Sequence, residues 1–585
     1  MTYQRTGALL GKKFREYLFP TIISNMSILL ASFVDGIIVS KLINDDAFSA
    51  VNLAEPVVLF MQALFFLFGI GGAICISIAK GQRNTKKANA LFSLSLIGSL
   101  VVSVVVTVAG VLLIDPVTSA LCTEPQLTGL VRNYSLVTII GTPLMVIVPY
   151  LTFVIRVDGL PKLSANILLA SNAVNLLMDF VYIGVFGMDT SGAALATVTG
   201  YGVGFLIELY YLIFYKKRTL RFVRLCKDDL RYLGELCSSG ISSVLSTVLL
   251  FVKAILLNRI VVATGGADAI AVFSVCNFTV TFISMFISGG ADTMTPIISL
   301  LYGEQDHKGT DIVLKKTLLF VCTSCLLITA AVTAFPQMLL MLFSVTSPER
   351  VEMGTAAVRI FSLCFVFMGL CNIIMNYLQA SRHRALSLMV AFLRGIVIIV
   401  PLAYGLSLVS GVTGIWWSFM ISEMLTAVTA LLVCFIISRV RKNKYTGILL
   451  HERQKAVNAV FDVSLFPDKA QASAVSKELT DFCTEHKVES GRATLAGLLA
   501  EEIVENIRFF NKDKKQPQID LICHITDNGI IISVRDNGDT FDSITVDDNC
   551  GEFTNLRMIH SIADKVSYSR TLGMNTMLVQ ISDNA

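Results

Sequence analysis

The sequence predicts an all-α membrane bundle, twelve transmembrane helices in two six-helix repeats, followed by a C-terminal α/β two-layer sandwich. Three observations carry this reading. Hydrophobic residues make up 54% of the 585 residues and charged residues only 15%, a balance that belongs to integral membrane proteins. Features of the first half recur 222 residues later, as Gly81 and Gly303 do. Beyond Lys444 the chain turns acidic, with 14 Lys and Arg against 21 Asp and Glu.

The 222-residue offset is sustained. Asp46-Ala47 is matched by Asp268-Ala269, Ser191-Gly192 by Thr413-Gly414, and the turn Gly159-Leu160-Pro161-Lys162 by Ser381-Arg382-His383-Arg384. Several coincidences at one offset mean duplication. Duplicated membrane halves with a site between them are the architecture of secondary transporters.

Apolar runs of roughly 20 residues, the length that a hydrocarbon core of about 30 Å demands, lie near 16–39, 55–79, 90–113, 132–155, 163–186 and 192–215. Six more lie near 238–262, 273–301, 316–343, 356–380, 386–408 and 413–438. The first run is long and no small-residue cleavage site follows it, so it is expected to remain as a helix. Repeat 1 is placed at 1–220, repeat 2 at 221–444, a linker at 445–455 and the soluble domain at 456–585.

Lys and Arg mark alternate connections, among them Lys80 to Lys87, Lys216 to Arg231 and Arg439 to Lys444; Arg156 and Lys162 fall in the same set. The positive-inside rule puts these connections and both termini in the cytoplasm, with the chain in the inner membrane. The acidic domain is then expected to hang in the cytoplasm on its linker. The 13 cysteines show no metal spacing; Cys322 and Cys325, a CxxC within a span, read as packing.

Ionisable and amide side chains inside apolar spans are costly, so each marks a candidate site. Asp35 in span 1, Asp179 in span 5 and Thr197 in span 6 lie at similar depth, and Asn175 is one helical turn from Asp179. Two carboxylates in a low-dielectric pocket suit the uptake and release of H+ or Na+. Pro20, in the span of Asp35, removes a backbone hydrogen bond and can hinge that helix. In the second repeat the offset brings Asp179 onto Pro401. There Arg394 and Glu423, near mid-membrane in neighbouring spans, are expected to pair or line the cavity, with Lys253 as a further gating candidate.

The set Pro20, Asp35, Asn175-x-x-x-Asp179 and Ser191-Gly192-Ala193-Ala194-Leu195-Ala196-Thr197 resembles the multidrug and toxic compound extrusion (MATE) family over about residues 10–440. The resemblance implies an efflux antiporter for drugs and organic cations in the lipid bilayer, of the bent-helix type. Asp35, Asn175, Asp179 and Thr197 would form its coupling-ion site and Pro20 its hinge. Lys253 stands where one branch of that family has an acidic residue in span 7, which argues against Na+ coupling through a second-repeat carboxylate.

The soluble part reads as strand 457–466, helices 468–486 and 493–510, strands 518–526 and 529–535, helix 555–563, and strands 565–571 and 575–581. Glu502 and Asn506 share one helix face; an amide oxygen there can bind Mg2+ beside phosphates and a carboxylate can act as a base. Asp536-Asn537-Gly538 closes a strand, where a carboxylate can accept from an adenine amino group and a glycine lets the backbone approach. Lys512, Lys514 and Lys515 read as a solvated loop, not a nucleic-acid patch.

The ordered series Glu502-x-x-x-Asn506, Asp536-x-Gly538, Leu556-x-Met558-Ile559 and Ala563-Asp564-x-Val566 resembles the histidine-kinase-type ATPase fold, nearest to the anti-sigma-factor serine kinases, over about residues 456–583. That implies ATP with Mg2+: Asn506 on the metal, Asp536, Gly538 and Asn555 at the nucleotide, Glu502 as base, and a cytoplasmic regulatory protein as partner. The family's glycines before the lid helix are replaced by Phe553-Thr554-Asn555. Asparagine tolerates a left-handed conformation, and a helix N-terminus can hold phosphate. Two other readings stay open, a membrane-anchored signalling protein with serine-kinase-like activity and a lipid-linked saccharide flippase.

Overall fold

The computed structural model describes residues 4–122, 124–216, 218–342, 348–453, 457–511, 517–539, 559 and 561–582. The first half contains α1 Ala8–Leu42, α2 Asp45–Gly81, α3 Thr85–Leu112, α4 Ile114–Leu121, α5 Pro125–Ile140, α6 Thr142–Val157, α7 Pro161–Asp179 and α8 Thr190–Phe214. The second contains α9 Tyr232–Gly303, α10 His307–Ala334, α11 Pro336–Leu342, α12 Pro348–Ser362, α13 Cys364–Ala380, α14 Arg384–Phe392 and α15 Ile399–Val440. Among the described residues, nine helices are long and apolar enough to cross a membrane, and the pair α5 and α6, bent by 52°, makes a tenth.

The duplication is visible element by element. Both α3 and α10 have 28 residues, and Asn84 and Asp306, 222 apart, cap them by accepting from the backbone N–H of Lys87 and Gly309. The break at Gly141 between α5 and α6 recurs at Leu363 between α12 and α13. Where the first repeat has connections at Asn44 and Asp189, the second has only Gly266 and Gly411, which interrupt α9 and α15 with φ of 61° and 58°. Glycine takes that left-handed turn without a Cβ penalty, so each connection shrinks to one residue.

Without a hydrophobic drive inside lipid, helices associate by close packing of small residues. Gly81 and Gly303 meet across the repeat boundary: a Cβ on Gly81 would collide with the Leu300 carbonyl oxygen, and one on Gly303 with that of Ile78. Gly71 and Gly240 bring α2 and α9 together in the same way. Gly81→Val should cost about 1–3 kcal/mol by overpacking. A lowered unfolding midpoint in detergent checks it, and an unchanged one would show that this seam yields.

After α15 a small hairpin, β1 Tyr445–Thr446 with β2 His451–Glu452, leads to β3 Val457–Leu465, α16 Lys469–Glu485, α17 Ser490–Phe510, β4 Ile519–Thr526, β5 Gly529–Asp536, β6 Lys565–Thr571 and β7 Met574–Ser582. The five long strands pair antiparallel in the order β3-β4-β5-β7-β6. Strand alternation gives the sheet two faces. Val463, Leu521, Ile532, Val534 and Val579 pack with Leu479, Leu499 and Ile503 of the helices as one core.

The other face is polar, and it is not free in solvent as expected. It lies on the end of the bundle that carries the basic connections. Arg5 donates to Asp306 at 2.8 and 2.9 Å and to Asp520 of β4 at 3.1 Å. Arg535 of β5 donates to Asp306 at 3.3 Å and pairs with Glu304. Arg83 reaches Ser567 and Ser533 at 3.1 and 3.4 Å. The β6–β7 turn adds Leu572 and Met574, both buried in the apolar core of the bundle. The hairpin is likewise tied down: Tyr377 donates to the Leu449 carbonyl at 2.9 Å, and His451 lies 2.9 Å from Asp311. Arg5 and Arg83 come from the first half, and Glu304, Asp306 and Asp311 from the second, so the sheet bridges the two.

Candidate functional site

Three helices of the first half bring Asp35, Asn175, Asp179 and Thr197 together. Asp179 is the last residue of α7, fully buried, and a π-helical turn, Phe180–Val185, follows it. Such turns collect at functional sites because they re-aim the adjoining side chains. The Asn175 amide donates to Thr197 Oγ1 at 3.2 Å and lies 3.5 Å from Asp179 Oδ2. The carboxyl groups of Asp35 and Asp179 are within hydrogen-bonding range of each other. One oxygen of each, Oδ1, is enclosed with no hydrogen-bond partner among the described residues. Two carboxyls in that relation raise each other's proton affinity. Pro20 lies in α1, which continues through it as one helix, and the Ser24 hydroxyl donates to the Pro20 carbonyl at 2.9 Å.

In the second half Arg394 and Glu423 pair as expected, with Nε to Oε1 at 2.8 Å. Arg394 belongs to a second π-helical turn, Leu393–Val397. Lys253 lies within electrostatic reach of both, and Glu423 Oε2 is enclosed without a partner. The same group of spans thus carries an acidic cluster in one repeat and a mixed one in the other.

The sequence reading missed other polar groups. Tyr134 stands within electrostatic range of Asp35, Glu55 and Asp179. Glu208 of α8 is fully buried, and neither carboxyl oxygen has a hydrogen-bond partner among the described residues. Arg156, assigned to a basic connection, is in fact buried, and Asp292 lies opposite it between the repeats. Asp292 sits in an apolar span, and the rule that found Asp35 would have found it.

In the soluble domain a cleft opens between α17 and the sheet, lined by Asn506, Phe510, Asp536, Asp539, Tyr568 and Asn575 among others. Asp536 accepts from the Gly538 N–H at 2.7 Å and from the Asn575 amide at 2.9 Å. Burial lifts its carboxyl to about 6, although these hydrogen bonds and Arg570 pull the other way. The Asn506 amide nitrogen is enclosed with no partner among the described residues, so Asn506 and Asp536 offer polar groups to one cleft. A Cβ on Gly538 would stand 2.6 Å from Asn511 Oδ1, so a larger residue there must displace the Asn511 side chain. Glu502, one turn before Asn506, does not line the cleft. Asn555, with Leu556 and Met558, lies outside the described residues.

The profile of the MatE family matches residues 20–181 and 241–405. The chain is 25% identical over 427 residues to the multidrug export protein MepA of Staphylococcus haemolyticus, covering 72% of this chain and 93% of that one. It is equally identical over 429 residues to MepA of Staphylococcus aureus strain MRSA252, covering 73% and 94%. An outward-facing structure of a MATE transporter of the MOP superfamily superposes with a TM-score of 0.69 at 22% identity, covering 74% of this chain and 96% of that one. The matched halves are the two that meet at Gly81 and Gly303. The chain is a multi-pass membrane protein that belongs to the MatE family of transporters.

Proposed function

We propose that this protein is an ion-coupled efflux antiporter for drugs and organic cations, worked by alternating access, with a nucleotide-responsive domain on its cytoplasmic face. Counting each side of Gly266 and Gly411 as a separate crossing turns ten spans into twelve. An even number puts both termini on one side, and the basic connections make it the cytoplasm of a cell whose inner membrane holds the chain.

The observation that carries the coupling is the contact between the Asp35 and Asp179 carboxyls, with Asn175 and Thr197 beside them. A proton shared by the two is released when a cation or a rearrangement of the π-helical turn separates them. Na+ is the other candidate, since the same groups offer hard oxygen ligands. Arg394 and Glu423 form the second-repeat element, where removal of either would leave a buried charge unpaired. Arg394→Gln should therefore slow transport through impaired conformational exchange and leave the ion dependence as in wild type. Unchanged transport would remove the gating role.

The soluble domain fits the histidine-kinase-type ATPase fold in its antiparallel sheet, its two helices on one face and its cleft at the end of β5. We read it as binding ATP, with Asp536 accepting from the base and Asn506 near the phosphates and Mg2+, and as acting on the bundle to which it is docked. Calorimetry of ATP with Mg2+ on the full-length protein tests this. Heat should appear in wild type and disappear in Asp536→Asn. Binding should weaken as pH falls through about 6, because protonation removes the charge that makes this carboxylate a strong acceptor. No heat in wild type, or heat indifferent to Asp536, would end the nucleotide reading.

A further inference from the structure

The seam at Gly81 and Gly303 closes the end of the bundle read as cytoplasmic, and alternating access requires the repeats to part there for some of each cycle. One strand of the soluble domain grips both sides of it. Arg83, two residues beyond Gly81, donates to Ser533 of β5 at 3.4 Å and to Ser567 of β6 at 3.1 Å. Glu304, the residue after Gly303, pairs with Arg535 of β5. Ser533 and Arg535 are two residues apart, so they share one face of the strand at a spacing of roughly 7 Å. Arg5 repeats the arrangement from ahead of α1, holding Asp520 of β4 at 3.1 Å and, from the second repeat, Asp306 at 2.8 Å.

A second grip is apolar, and it carries a strain that the soluble domain by itself does not explain. Leu572 and Gly573 alone join β6 to β7, with Thr571 paired to Met574, and both loop residues have positive φ, 52° and 71°. Hairpin loops of two residues favour that backbone with Asn or Asp before the glycine, whereas a bulky leucine is disfavoured there. Leu572 is 2% exposed. With Met574 it joins the apolar core that contains Leu10 and Phe14 of α1 and Leu314 of α10, and not the core of its own domain. The tip also abuts the turn between α6 and α7, where a Cβ on Gly159 would stand 2.7 Å from the Gly573 nitrogen. Leucine at this position serves the bundle and works against the turn.

We propose that the docked domain is an autoinhibitory latch: β5 and the β6–β7 turn hold the two repeats together at their cytoplasmic ends, and substrate enters only after the sheet has let go. The proposal rests on the alternating-access reading and adds the sign of the domain's effect, which is inhibition. Opening the seam carries Arg83 away from Glu304. The strand cannot follow both, and whichever it leaves loses its partner in a buried setting.

Leu572→Asn separates the latch from the fold. Asparagine before glycine suits the turn, so the domain stays folded while its apolar anchor is gone. Arg535→Ala removes the polar grip on the second repeat. Spin labels at Lys162 and Lys315, exposed residues near the cytoplasmic ends of α7 and α10, are introduced as an unnatural amino acid and their separation is read by pulsed electron resonance in the full-length protein. Wild type should give one short distance, and each variant should add a longer population. Ion-driven ethidium transport in vesicles should rise by about fivefold or more in both, the lower end of the usual coupling between sites. A wild-type distance distribution in both variants, or longer distances with transport unchanged or lowered, would overturn the latch. The distances need no ion gradient, so a wild type that moves no ethidium counts against the transporter reading, and the latch is still decided by the distances.

Discussion

Asp179→Asn is expected to reduce drug efflux by more than tenfold while leaving the protein folded. The side chain is fully buried at the end of α7, and asparagine has the shape and the donor of a protonated aspartate. It can still contact Asp35 and accept from Asn175, so the packing of α1 against α7 survives. What it cannot do is exchange a proton or hold a cation, and coupling depends on that exchange. Asp35→Asn should behave alike. The double variant should be little worse than either single one, because both residues belong to one titrating pair. Efflux in everted vesicles, with unfolding midpoints within a few degrees of wild type, checks this. Wild-type efflux in either variant would move the coupling site elsewhere, with Glu208 the next candidate.

Arg535→Ala carries the largest expected effect on architecture. Arg535 is 2% exposed and neutralises Glu304 and Asp306 at once. Burial opposes ionisation of Asp306, yet Arg5 and Arg535 hold it well below the usual carboxylate range; burial raises Glu304 against the same arginine. Removing one member of such a cluster strands its partners, at a cost of about 3–5 kcal/mol. The polar face should then leave the bundle, exposing the chain around 441–453 to protease and freeing transport from any effect of ATP. The exchange Arg535→Glu with Glu304→Arg should restore part of the protection. Unchanged proteolysis would show that Leu572 and Met574 hold the domain without the ion cluster.

Asp35, Asn175, Asp179 and Thr197 were legible because a polar group in an apolar span has few structural excuses. The pairing of Arg394 with Glu423 followed from their equal depth. Arg156 was not legible: a basic residue at the end of a span looks like a topological marker, and only the packing of α6 against α9 turns it inward. The breaks at Gly266 and Gly411 fall in the gaps the sequence leaves between spans, 263–272 and 409–412, but that a single left-handed glycine makes each one was not legible. In the soluble domain, strand boundaries agreed to within a residue or two, since alternation and turns define them locally. Docking was invisible because Asp520, Ser533 and Arg535, spaced for one sheet face, read as solvent-facing until the far surface is known. Glu502 shares a helix face with Asn506 in projection, but Ile503 and not Glu502 joins Asn506 in lining the cleft.

Flux in sealed vesicles holding the full-length protein, with a pH gradient, a Na+ gradient or neither imposed in turn, tests the central claim most directly. One of the two gradients should drive dye against its own concentration gradient without ATP, and that drive should vanish in Asp35→Asn and Asp179→Asn. Dye movement indifferent to both gradients and dependent on ATP hydrolysis would contradict the account.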